Sequence, residues 1–181
     1  MSNEQNKTNV KIVNARLSFP AIFRPKKGPE ENSKEAFSAT FILDKKTNAS
    51  SIKAIKDMIA QIVRDDFKGK TPPKICLRDG AEKELDGYGE DVMFISARCD
   101  RRPQVVNRDM SPLVEDDGKP YAGCYVNATV RLWAQDNKFG KRINAQLRAV
   151  QFVKDGAPFG EGTVDVTKEF EALPDEDEGA I

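Results

Sequence analysis

The sequence predicts a mainly β protein with one helix, an α+β chain built as an OB-like five-stranded antiparallel barrel with long loops and a disordered acidic tail. Three observations carry this. Strict period-two alternation recurs in five segments, which is the mark of half-buried strands. One segment alone shows a helical stripe. The connectors are charged and rich in Pro and Gly. The chain of 181 residues divides into a disordered lead (1–9), one barrel domain (10–164) and an acidic tail (165–181).

The first strand spans 11–23, with Val13, Ala15, Leu17 and Phe19 inward and Asn14, Arg16 and Ser18 outward. Pro20 ends or kinks it. After the charged loop 24–34, residues 36–44 alternate again, with Phe37, Ala39, Phe41 and Leu43 on one face. The helix follows: Ile52, Ile55, Ile59, Ile62, Val63 and Phe67 form its apolar stripe, Ser50 or Ser51 caps its start and Gly69 ends it. Residues 71–91 are loop-rich with a short strand at 75–77. A strand at 92–100 turns Met93, Ile95, Ala97 and Cys99 inward and Phe94, Ser96 and Arg98 outward. A partly basic loop, 101–120, leads to a hairpin of 121–137 and 142–153.

Composition excludes much chemistry. There is no histidine, which removes imidazole-based hydrolysis and His-ligated zinc. Cys76, Cys99 and Cys124 are odd in number and widely spaced, fitting a reducing cytosol rather than a disulfide framework. The acids of 79–91 lack EF-hand spacing, and Gly87 and Gly89 make only a lone GxG. No catalytic residue, metal or cofactor is expected. No apolar run reaches the ~20 residues of a membrane helix, and the polar start lacks a signal core.

Net charge is zero, with 29 bases and 29 acids. Residues 165–181 hold seven acids and one base, which leaves 28 bases and 22 acids in the body. A body of +6 and a tail of −6 point to a nucleic-acid partner.

The hairpin supplies the candidate site. Ala122, Cys124, Val126, Ala128, Val130, Leu132 and Ala134 share the inner side of its first strand. The outer side carries Tyr121, Tyr125, Arg131 and Trp133, the chain's single tryptophan. In the return strand Ile143, Ala145, Leu147 and Ala149 face inward, and Arg142, Arg148 and Phe152 face outward. Exposed rings let unstacked bases lie flat, and arginine pairs with phosphate or stacks on a base. A duplex hides its base faces, so this surface favours single strands. Phe94 and Arg98 extend it. Lys138 and Lys141 at the hairpin tip and Arg101 and Arg102 in the 101–120 loop add cations. The competing reading buries the same rings under a loop or in a homodimer contact.

In the tail, Asp175, Glu176, Asp177 and Glu178 mimic phosphate and compete for the basic groove, and Ile181 offers an apolar hook beside the terminal carboxylate. The other classes weighed are a single-strand annealing protein, a virion structural β-domain and a metal-dependent nuclease.

The stretches RLSFPAIFRP (16–25), CLRDG (76–80), YAGCYVNATVRLW (121–133) and LRAVQFVKDG (147–156) resemble bacteriophage single-stranded-DNA-binding proteins, a family formerly known only as a domain of unknown function. The resemblance spans residues 10–160, and the acidic tail is similar in kind. It implies an OB fold, no catalysis, and a role in phage replication, recombination or repair in the cytoplasm of an infected bacterial host. Single-stranded DNA is then the ligand, and replication or recombination proteins are the tail's partners.

Overall fold

In the computed structural model, which describes residues 8–28, 33–85, 87–159 and 170–174, the architecture starts from one very long strand. β1 (Asn9–Lys27) pairs along its first half with β7 (Tyr125–Asn137) and along its second with β2 (Glu35–Asp44), both antiparallel. β2 continues to β5 (Val92–Cys99), and β7 turns directly into β8 (Gly140–Lys154). A parallel bridge, Arg98 to Gln146, returns β8 to β5. The ring β1–β2–β5–β8–β7 is a closed five-stranded barrel of OB-like type, as the alternation predicted.

Two bulges let β1 serve both halves. At Asn14 the backbone turns left-handed (φ 55°) and the register with β7 slips between Ile12 and Ala15. Asparagine tolerates that conformation better than most residues. The freed backbone groups are all taken. The Val13 amide donates to Ser51 Oγ (3.2 Å) and the Asn14 amide to Asn127 Oδ1 (2.9 Å). Both carbonyls accept from Asn48 Nδ2, at 2.9 and 3.2 Å. A second bulge follows Phe19 (φ 46°), where register with β2 shifts between Ser18 and Ala21. Each inserted residue resets the parity. Val13 and Phe19, expected inside, are therefore 47% and 61% exposed, while Ile12 and Ile22 fill the core. Pro20 does not end the strand.

β8 carries a third irregularity. Thr129 pairs with Ala149 but Val130 with Leu147, so Arg148 is the extra residue. Beyond it the faces exchange: Val150 and Phe152 point inward and Ala149 is only half-buried. Phe152, expected on the outer face, belongs to the core.

α1 (Ala49–Asp66) lies on β1, β2 and β7, burying Ile52, Ile55 and Ile62 with Phe67 beyond its end. Its N-cap is Asn48, whose Oδ1 accepts from the Asp44 amide (2.8 Å) rather than from the helix. Ser51, expected as a cap, sits inside the first turn and supports the β1 bulge. Gly69 (φ 82°) does close the helix, donating to the Val63 carbonyl at 2.9 Å.

The short strands β3 (Lys74–Ile75) and β4 (Leu77–Asp79) lie where β5 and β8 diverge. β3 pairs parallel with β8 and β4 antiparallel with β5. β6 (Gln104–Val106) adds a parallel edge to β8. Residues 121–124, expected as strand, form a turn instead. No helix among the described residues is long and apolar enough to cross a membrane.

Asn48→Ala would strip two carbonyls and one amide of their partner at a buried site. The expected loss is about 2–3 kcal/mol of stability, read as a lower urea midpoint with an unchanged slope.

Candidate nucleic-acid interface

The barrel's weakest closure defines a large hollow. β5 and β8 share one bridge, and β3 and β4 span the remaining gap. Over this seam lies a groove of about 1010 Å³. Cys76, Cys99, Ile143 and Ala145 contribute apolar surface to it, and its cations come from five strands: Lys74, Arg78, Arg98, Arg131 and Arg142. Glu82 and Asp100 are the acids lining it. Polar neighbours orient these groups. Arg131 Nε donates to Gln146 Oε1 (2.9 Å), and Asn144 Nδ2 to Gln135 Oε1 (2.8 Å). Arg78 Nε reaches Glu82 Oε2 at 2.7 Å, an exposed pair that leaves much of the guanidinium open.

Four of the residues singled out in the sequence meet here: Arg98, Arg131, Trp133 and Arg142. Trp133 is 39% exposed and pairs across the hairpin with Asn144. The others lie elsewhere. Phe94 does point away from the barrel interior, yet it is buried. Tyr88 meets it edge-on with centroids 5.2 Å apart, and Arg78 covers it at 5.4 Å. From the stretch read as loop-rich, Tyr88 folds back over β5 and donates its hydroxyl to Ser18 Oγ (2.9 Å). Phe94 and Phe152 are thus closed to a stacking base in this structure. Arg148 is exposed at its bulge, outside the groove lining. Arg101 and Arg102 follow Asp100 at one end of the groove, both exposed.

Tyr125 lies at the far end of β7 from Trp133. Lys154 sits 4.9 Å from its ring centroid, and Gly156 packs beside it. Around it the YAGCY turn grips the chain after β8. Tyr121 donates to Asp155 Oδ1 (2.7 Å), Arg16 Nη2 to the Ala157 carbonyl (2.6 Å), and the Arg16 guanidinium lies 3.9 Å from the Phe159 ring centroid. Lys154 and Phe159 carry the chain toward the tail, whose Asp175, Glu176, Asp177, Glu178 and Ile181 lie outside the described residues.

Sequence reasoning missed two cations of the groove lining and one exposed ring outside it. Lys74 and Arg78 sat in a stretch read mainly as loop; CLRDG was the available signal. Phe139 stands 75% exposed at the hairpin tip between Lys138 and Lys141, with Lys138 Nζ 5.1 Å from its ring centroid.

Asp79, one of the acids weighed as a metal ligand, accepts from Lys45 Nζ (2.8 Å) and from the Ala81 amide, and both contacts hold its pKa down. Burial pushes the Cys76 thiol up to about 12 and those of Cys99 and Cys124 up to about 11.

Comparison with known proteins gives a family and, at greater distance, a shared fold. Residues 8–180 match the family model described as the Enterobacter phage Enc34 ssDNA-binding protein. "Putative protein p50" of Acyrthosiphon pisum secondary endosymbiont phage 1 is 38% identical over 175 residues, which is 91% of this chain and 93% of that one. The single-stranded DNA-binding protein of bacteriophage Enc34, solved in complex with ssDNA, superposes with a TM-score of 0.76 at 33% identity. The match covers 84% of this chain and 90% of that one. The bacteriophage T7 protein gp2.5, a single-stranded DNA binding protein, shares the fold at 12% identity, with a TM-score of 0.58 over 88% of this chain and 99% of its own.

The raised thiol pKa values predict inertness. A thiolate-selective reagent at pH 8 should modify the folded protein at least about tenfold more slowly than the urea-unfolded chain, because free thiols near pKa 8.5 are partly ionised there. Rapid modification of Cys76 in the folded state would contradict its burial.

Proposed function

The chain belongs to the phage Enc34 single-stranded-DNA-binding protein family, and from that premise we propose that it binds single-stranded DNA along the seam groove with little regard to base sequence. The observation that carries this reading is Trp133, half-open in a groove that Arg98, Arg131 and Arg142 also line. A base stacked on the indole contributes about 1–3 kcal/mol whichever base it is. The guanidinium groups neutralise phosphates on either side. Rigid strands preset the geometry, so little ordering cost falls on the protein.

Lys138, Phe139 and Lys141 extend the groove wall beyond Arg142, and Arg101 and Arg102 extend it past Asp100. Arg148, outside the groove, serves as an outlying phosphate contact. The protein acts without catalysis, coating strands during phage replication, recombination or repair. The acidic tail competes with DNA for the basic groove and offers Ile181 with its carboxylate to replication or recombination proteins. The +6 body and −6 tail support that competition.

Titration of Trp133 fluorescence with oligo-dT at two salt concentrations tests the core of the reading. Quenching is expected, and the affinity should fall with salt at a slope near −0.7 per phosphate contacted. Trp133→Ala should weaken binding by about 1–3 kcal/mol with thermal stability unchanged. Tyr125→Ala should cost stability more than affinity, since its ring is engaged by Lys154. Quenching that is absent, or affinity indifferent to salt, rejects the groove as the site.

Deleting residues 165–181 should tighten DNA binding, most visibly at low salt where the tail's charge is least screened. Equal affinity of the full and shortened chains at low salt would reject competition by the tail.

A further inference from the structure

A second hollow lies on the hairpin of β1 and β2, at about 310 Å³. Phe23, Arg24, Pro25 and Lys26 of β1 line it, with Glu115 and Pro120 from the long loop. One side chain stands between it and the end of the seam groove. Asp100 lines the groove, and two residues later Arg102 extends its guanidinium over the Phe23 ring, 5.7 Å from the centroid. The strand pairing enforces the proximity, because Phe37 of β2 pairs with Cys99 of β5, and Ala36 pairs with Lys26 of β1. The end of the groove therefore abuts the base of the hairpin.

The second hollow shares two features with the first, an aromatic ring and lining cations. A half-buried ring is available under an arginine, and Lys26 and Lys27 are exposed at its rim. Arg24 reaches Glu115 Oε2 at 2.7 Å, but the pair is 81% and 51% exposed, so a phosphate can displace the carboxylate at little cost.

We propose that the single-strand site has two parts: DNA leaving the seam groove at Asp100 crosses Arg102 and lies against Phe23 and the β1–β2 hairpin. This rests on the reading of the seam groove as the DNA site. Arg102 acts as the hinge of the path, giving a cation to the phosphate at the crossing while its plane and the Phe23 ring receive a base. Lys26 and Lys27 hold the phosphates beyond. The first part binds short strands alone, and the second is reached only by longer ones.

Fluorescently labelled oligo-dT in a ladder from about 4 to about 16 nucleotides, the span of site sizes for one such barrel, tests this by anisotropy on the full-length protein. Wild-type affinity should keep rising after the groove is filled. A chain carrying Lys26→Ala with Lys27→Ala should follow the wild type on the shortest strands and then level off. On the longest strands it should bind about tenfold more weakly, with the salt slope shallower by about 1.4, the value for two phosphate contacts on a single strand. Arg102→Ala should level off at the same length. A loss equal at every length, or none at any length, overturns the two-part site. If the wild type binds strands of no length and Trp133 is not quenched, the groove reading fails instead, which separates the two ideas.

Discussion

The architecture depends on bending β1 at Asn14 without leaving its backbone unpaired. A strand of 19 residues cannot stay straight and border both β7 and β2 in a barrel this narrow. The bend costs ladder hydrogen bonds, and an orphaned amide or carbonyl there would cost about 1–3 kcal/mol. The sequence meets this cost from outside the sheet. Asn48 and Ser51 come from the start of α1 and Asn127 from β7. The helix is thus tied to the bulge as well as packed on the barrel, and its polar first turn matters as much as its isoleucines.

Closure, in turn, creates the site. Because β1 bends, the sheet comes round until β8 faces β5, but the two meet at only one bridge. The gap is bridged by β3 and β4, which bring Lys74 and Arg78 alongside Arg98 and Arg142. Concentrating cations at one place carries a repulsive cost. Gln146, and Glu82 beside Arg78, moderate it by fixing guanidinium orientation and screening charge. Groups already pointed at their target lose little freedom on binding. The low-polarity seam floor strengthens each contact relative to open solvent.

How much of this was legible follows from where local pattern and tertiary constraint agree. The inner faces of β2, β5 and β7 and the stripe of α1 read correctly, since alternation there is unbroken. Parity failed wherever a residue is inserted. Val13, Phe19 and Phe152 were each placed on the wrong face because the bulges at Asn14, Phe19 and Arg148 are invisible to a period count. Arg98, Arg131, Trp133 and Arg142 were placed on the right face because they lie on the unbroken parts. Phe94 shows a different limit. Its face was right, but a loop with no periodicity of its own supplies the Tyr88 that covers it.

The most distinctive stretch of the sequence has a different task from the one its aromatics suggest. At Gly123 (φ 107°) any Cβ would collide with the backbone of Ala157 and Pro158, and one at Gly156 would strike the Gly123 carbonyl and the Tyr125 ring. Two backbones approach so closely only where both lack side chains. Tyr121, Arg16 and Phe159 then lock the crossing with hydrogen bonds and a stacked cation. These residues are constrained by each other, which makes the motif easy to spot, whereas a base-stacking ring needs only to be flat and accessible. Distinctiveness in this chain therefore marks a packing constraint, and the groove proposed to meet a nucleic acid is written in a looser and more common alphabet of arginine, glutamine and one tryptophan.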